Sequence, residues 1–331
     1  MRETFTAPVL TGERMDALDA ARGADAVRLF KRRLVGLLLI GLVHTLFIWM
    51  GDILVTYALL GFGLVPFLRR DDRTVLRWAF GMLIAPIFIY AALAAIASQA
   101  PASATPPEGS LPLILQDAAN KFANGSYLEV VKGNVVFTMA NIVRRLILMF
   151  HPRVFGMFLL GLHIGRRGIF ADLEAHRPWL VKVLIIGLTF GLPFAFVGAG
   201  LESDVPGVPG VRGLVETIAK SISAPALALA YAAGLALLFQ RLPGLMSAFA
   251  PAGRMALSNY LTQSVVGVLV FYGIGFGFFQ RVPISVSVAG AIVFFRLQMA
   301  ISRLWLARAN FGPAEWLWRM FTYRRRFALL R

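Results

Sequence analysis

Trp179–Gly200 reads WLVKVLIIGLTFGLPFAFVGAG, a single lysine in a run otherwise built from apolar residues, Gly, Pro and Thr. It is about as long as the roughly 20 residues a helix needs to cross a bilayer. The rest of the chain repeats this composition. Hydrophobic residues make up 58% of the 331-residue sequence and charged residues 15%, against about a quarter charged in a soluble domain. Mean hydropathy is +0.72. Further apolar blocks lie at 34–50, 53–68, 78–97, 154–165, 214–240, 256–279 and 283–302. The pattern predicts an all-α, polytopic transmembrane helical bundle of about eight spans plus interfacial helices. Residues 1–33 form a polar N-terminal segment without the apolar core of a cleaved signal, 34–303 the membrane domain, and 304–331 a basic, aromatic tail.

The formal charge of +16 invites a nucleic-acid partner, but its distribution argues against one. Lys and Arg cluster between the apolar blocks, at Lys31–Arg33, Arg69–Arg77, Arg166–Arg177 and Arg303–Arg331. Basic loops held on the cytoplasmic side, beside anionic lipid headgroups, explain that arrangement. The expected partners are therefore the lipid bilayer and anionic headgroups, with a homo-oligomer open and nucleic acid excluded. The chain has no cysteine, which removes disulfides and thiolate metal sites.

Residues 98–151 are the ambiguous region. Ser98–Gly109 has the Pro, Ala and Ser content of an exposed loop, and Leu111–Tyr127 the mixed character of a surface helix. Val135–Phe150 is apolar but carries Arg144 and Arg145. If it spans, every later basic loop moves outside. Placing it in the interface keeps the arginines inside and both termini cytoplasmic. Glu202–Arg212 is then a short outer loop, and Trp305, Trp316, Trp318 and Tyr323 mark an interfacial helix in the tail.

Two blocks of residues carry a family resemblance. The first is Gly253-Arg254-Met255-Ala256-Leu257-Ser258-Asn259-Tyr260-Leu261-Thr262-Gln263-Ser264 with Phe311-Gly312-Pro313-Ala314-Glu315-Trp316-Leu317-Trp318-Arg319. The second joins Arg32-Arg33-Leu34, Ile40-Gly41-Leu42-Val43-His44, Gly51-Asp52-Ile53-Leu54 and Tyr57-Ala58. Over roughly 25–325 the chain resembles the YeiB-type bacterial inner-membrane proteins, domain-of-unknown-function family 418. The resemblance implies a multi-pass protein of the bacterial inner membrane. Relative to that pattern the chain reads as short by a pair of N-terminal helices. Met15-Asp16-Ala17-Leu18-Asp19-Ala20-Ala21-Arg22-Gly23 echoes a family signature but is followed by polar residues.

Ionisable groups at membrane depth are expensive and functional by default. His44 lies within an apolar span and Asp52 at the hairpin turn. Eight residues along a straight helix put them about 12 Å apart on one face, so a substrate or water would have to join them. His44 reads as a proton-transfer group with Asp52 its partner, or alternatively as an inter-helix bond and a helix cap. Arg144 and Arg145, with His151 and Arg153, suit an anion or simply snorkel. Asn259 and Gln263 stand one turn apart, with Arg254 just before them, and bind a polar substrate or act as glue between helices. Glu315 most simply pairs with Arg319. Arg296, Gln298 and Lys220 are placed to snorkel, and His163 and His176 lack companions at metal-ligand spacing, so no metal is expected. Gly273, Gly275 and Gly277 read as close helix packing within a span. No cofactor signature appears.

Three functions remain open. YeiB-type proteins are distantly similar to multi-span acyltransferases that modify sugars and envelope glycans with a membrane-embedded His and arginines. That implies His44 as base, Arg144 and Arg145 on an anionic donor or acceptor, and an acyl donor as co-substrate. A transporter or lipid-handling protein would line a path with His44, Asn259, Gln263 and Arg296. A non-catalytic membrane subunit is the third.

Overall fold

A computed structural model describes residues 24–99, 111–148, 150–201, 210–279 and 281–331. The Met15–Gly23 signature and most of the Ser98–Gly109 and Glu202–Arg212 loops lie outside these residues. The described chain is helical, with one isolated bridge between Ala309 and Leu330. Its helices are α1 (Ala24–Phe47), α2 (Leu54–Leu64, with a 3-10 turn Val65–Arg69), α3 (Asp72–Ala97), α4 (Leu111–Asn124), α5 (Tyr127–Leu148) and α6 (Phe150–Arg166). Then follow α7 (Arg177–Gly200), α8 (Val211–Arg241), α9 (Pro243–Arg254), α10 (Ala256–Phe271), α11 (Ile284–Arg308) and α12 (Pro313–Tyr323). Four of them, α3, α7, α8 and α11, are long and apolar enough to cross a membrane, and Leu54–Arg69 and α10 are shorter apolar helices. This is a helical membrane protein.

Contacts divide the chain into two compact units, one of residues 1–27, 60–104 and 143–243, the other of 28–59, 105–142 and 244–331. In the first, α3 packs on α6 through Val75, Ala79 and Leu83 against Leu159, Leu160 and Leu162. Asp71 starts α3 as its N-cap, accepting from the Thr74 amide at 3.0 Å, and those Thr74 bonds hold its carboxyl below the usual range. Arg166, at the end of α6, closes the same corner. Its guanidinium donates to the carbonyls of Phe67, Leu68 and Arg70 at 2.8–2.9 Å, and to Asp72 at 3.1 Å. The orphan carbonyls of the 3-10 turn are thereby satisfied. Asp72 also faces His163 Nδ1 at 3.1 Å, so this histidine has an acidic companion from a distant helix that sequence spacing hides. Glycines bring α7 against α8: a Cβ on Gly187 would lie 2.5 Å from the Ala226 carbonyl oxygen.

In the second unit, Ala118 and Phe122 of α4 and Val130 of α5 pack with Val268 and Tyr272. Ser126 and Glu129 form a capping box at the start of α5, with the Ser126 amide donating to the carboxylate at 2.7 Å. Helix α10 stops at Phe271, well before Phe279. The glycines read as span packing instead form the turn that follows it, where Gly277 has φ +69° and the Gly273 amide donates to Phe122 at 2.9 Å. A Cβ on Gly273 would meet the Ala123 carbonyl, so close approach rather than helix packing selects the residue. The tail does form its helix, α12, but its tryptophans are pegs within the protein. Trp318 donates to the Arg33 carbonyl at 2.8 Å and Trp316 to that of Phe327 at 2.8 Å.

Gly187→Val should overpack the α7–α8 contact and lower stability by about 1–3 kcal/mol, read as an earlier thermal unfolding transition in detergent. Gly81→Ala, where nothing lies within 4 Å of the added carbon, should leave the transition unmoved.

Candidate functional site

Helix α1 loses its last turn at Phe47, and the chain reverses through 48–53 before α2 begins. The amides of Ile48 and Trp49 both bond the His44 carbonyl at 2.9 Å. This reversal corrects the separation expected of a straight helix. His44 Nδ1 lies 2.9 Å from Asp52 Oδ1, and both side chains are 1% exposed. Asp52 also does what the capping alternative requires, because its Oδ2 accepts from the Val55 amide at 2.7 Å. One carboxylate thus closes the turn and holds the imidazole.

A third residue joins them from α10. The Tyr260 hydroxyl donates to Asp52 Oδ1 at 3.3 Å and accepts from the Ile53 amide at 3.2 Å. Its ring lies 5.1 Å from the imidazole, and Trp49 stands edge-on at 6.5 Å. No spacing rule marks Tyr260 for a role. The available signal was a phenol near the start of an apolar helix, where its O–H needs a partner.

A carboxylate can only accept, so Nδ1 is the donor of the His44–Asp52 pair and Nε2 carries the lone pair. That Nε2 is buried and bonds nothing among the described residues. Asn134, fully buried on α5, donates to the Leu46 carbonyl at 3.3 Å while its own Oδ1 is likewise unpaired. The carbonyl of Phe47 takes the Tyr127 hydroxyl at 2.9 Å. The end of α1 is therefore capped by α5 side chains, and two polar atoms there are left over.

Asn259, Gln263, Arg254 and Glu315 form hydrogen bonds within the protein. Asn259 donates to Ser302 Oγ at 3.1 Å and to the Ala252 carbonyl at 3.2 Å. Gln263 donates to Gln298 at 2.7 Å, and Gln298 returns a bond to the Asn259 carbonyl at 3.0 Å. These amides tie α10 to α11, and Gln298, 3% exposed, does not snorkel. Arg254 donates to the Asn310 carbonyl at 3.3 Å. Glu315 caps α10, accepting from the Leu257 and Ser258 amides at 2.6 and 3.0 Å and from the Ser258 hydroxyl. Arg319 lies over the Phe311 ring at 4.7 Å. Arg144 and Arg145 sit on α5, with their side chains outside the described residues. No group of three or more metal-ligating side chains occurs among the described residues.

Comparison with known proteins agrees on one family. The family described as "Protein of unknown function (DUF418)" matches residues 164–325. Uncharacterized protein YxaH of Bacillus subtilis is 30% identical over 314 residues, 91% of this chain and 73% of the relative. The chain belongs to the DUF418 family. Uncharacterized protein YeiB of Escherichia coli is 28% identical over 305 residues, covering 90% of this chain and 76% of its own. An uncharacterized 39.9 kDa protein of Bacillus acidopullulyticus is 28% identical over 190 residues, 53% of each chain. No solved structure matches. The DUF418 match contains the α10–α11 amides and Glu315, whereas His44 and Asp52 precede it.

Glu315→Ala removes an anionic cap from three donors and should cost about 2 kcal/mol or more. Arg254→Ala, which loses one long bond, should cost less than half of that. Thermal unfolding of both variants in detergent, followed by helical circular dichroism, checks the order.

Proposed function

We propose that this protein is a membrane-embedded acyltransferase in which His44 is the general base and Asp52 positions it. The observation that carries the reading is the unpaired Nε2 of a buried histidine whose other nitrogen is fixed on a carboxylate. Such a nitrogen is oriented, dry and free to take a proton, which is the arrangement general-base catalysis needs. An acceptor hydroxyl would give its proton to Nε2 while its oxygen bonds the acyl carbon of a thioester donor. The C–S bond then breaks, and the proton returns from the imidazole to the departing thiolate. Asp52 stabilises the imidazolium formed in between, and Tyr260 keeps Asp52 in place. Asn134 Oδ1, a second unpaired acceptor at the same helix end, is suited to accept from a neighbouring hydroxyl of a sugar acceptor.

His44 is closed off in this conformation, so acceptor access requires the Trp49 ring, 6.5 Å away and edge-on, to swing aside while Asp52 keeps its bond. The family resemblance supports placement in the bacterial inner membrane, the apolar blocks about eight spans, and the distribution of arginines both termini cytoplasmic. By contrast, Asn259 and Gln263, offered with His44 and Arg296 as a transport path, spend their hydrogen bonds on Ser302, Gln298 and the protein backbone.

The test uses the full chain in liposomes with a radiolabelled acyl thioester and a panel of sugar and glycan acceptors. Product should form with the wild type and vanish with His44→Ala. Asp52→Asn should lower kcat by about 10²–10⁴-fold. Acyl transfer retained in His44→Ala, or solute flux with no product in the wild type, removes the assignment.

A further inference from the structure

In the first unit, α6, α7 and α8 line an apolar cavity of about 230 Å³ that opens outward past the exposed Gly161, Ala228 and Ala232. Helix α6 lines it with Met157, Gly161 and Ile164, and α8 with Ala228 and Ala232. Trp179 contributes from the start of α7. Arg153 stands one turn before Met157 and two before Gly161, so the three share a face of α6. Ser221 precedes Ala228 by two turns on the matching face of α8. Arg153 Nη2 donates to Ser221 Oγ at 3.3 Å, which places the cation beyond one end of the cavity on both helices.

Arg153 is incompletely satisfied there. Its Nε is buried without a partner, and no carboxylate pairs with it among the described residues. A guanidinium offers five N–H donors in a planar fork matched to phosphate. Ser221 is itself at an irregularity, because Pro225 has no N–H to give the Ser221 carbonyl. The helix is therefore locally open where the arginine arrives. This half-buried cation at the end of an apolar cavity thus has N–H donors to spare for an anion.

We infer that α6, α7 and α8 form a binding site for an anionic phospholipid, its phosphate on Arg153 and Ser221 and an acyl chain in the cavity. The separation fits: Arg153 to Gly161 is about 12 Å along the helix, a span that a glycerol backbone and the upper part of an acyl chain cover. The cavity is apolar and opens outward between apolar helices, so in a membrane hydrocarbon is its natural occupant. This site does not depend on the acyl-transfer reading.

Native mass spectrometry of the full chain in detergent, titrated with dioleoylphosphatidylglycerol, tests the inference. The wild type should bind one phospholipid in preference to phosphatidylcholine. Arg153→Gln should weaken phosphatidylglycerol binding at least tenfold. Gly161→Leu fills the cavity from a position where an added Cβ meets nothing within 4 Å, and should weaken it similarly without changing the melting transition. Wild-type binding by Gly161→Leu, or displacement of the lipid by millimolar inorganic phosphate, would mean a simple anion site and overturn the proposal. Displacement by equimolar oleate would overturn the phospholipid assignment, and unchanged binding by both variants would mean surface adherence.

Discussion

The second unit depends on one buried carboxylate. Asp52 receives the imidazole of α1, the amide of Val55 at the start of α2 and the hydroxyl of Tyr260 from α10. Each of these donors would be costly to leave unpaired in an apolar interior. Remove the carboxylate and the 48–53 reversal loses its cap, the imidazole its orientation and α10 its tie to the hairpin. Building and positioning are therefore not separable at this residue. A group that caps a helix in a membrane protein is already dry and fixed, which are the two properties a positioning residue needs.

Glu315 repeats the device at the start of α10. Its oxygens take two backbone amides and a hydroxyl, and the same Ser258 hydroxyl accepts the Ala314 amide at 3.0 Å. Helix α12 is thereby tied to the first turn of α10, and α10 in turn carries Tyr260 to Asp52. The amide ladder Asn259–Ser302 and Gln263–Gln298 fixes α10 against α11. A chain of polar contacts runs from the tail to the dyad, each replacing a solvation that lipid cannot provide.

Apolar block lengths made the helical class and most helix positions legible, because composition alone decides whether a segment can face lipid. His44 and Asp52 were legible as expensive residues in an apolar context, but not as a bonded pair. Their separation was reckoned on a straight helix, and nothing local signals that α1 stops at Phe47. Glu315 was assigned the nearest partner in sequence, Arg319, whereas its donors come from residues 57 and 58 positions away. His163 escaped for the same reason, since Asp72 lies on another helix. The short helix α9 falls between the apolar blocks 214–240 and 256–279, and Pro243 occupies its first position, where a missing N–H does no harm. Spacing rules find partners within one element; pairing across elements is set by packing that a single sequence does not display.

Most polar groups in the described interior form a hydrogen bond or ion pair, so the exceptions are informative. His163 Nδ1 lacks a hydrogen bond but faces a carboxylate at 3.1 Å, and the pairing accounts for it. Three atoms have no such account: His44 Nε2 and Asn134 Oδ1 in one unit, Arg153 Nε in the other. They differ in kind. A neutral imidazole nitrogen and an amide oxygen both accept, and suit a ligand that donates protons. A guanidinium only donates, and suits an anion. Leaving either sort unpaired costs about 1–3 kcal/mol in a buried site, more for a charge. A ligand that pairs them recovers that cost, whereas nearby water or protein would have done so without specificity. The unpaired atoms therefore differ between the units in what would pair them, an O–H or N–H donor in one and an anion in the other.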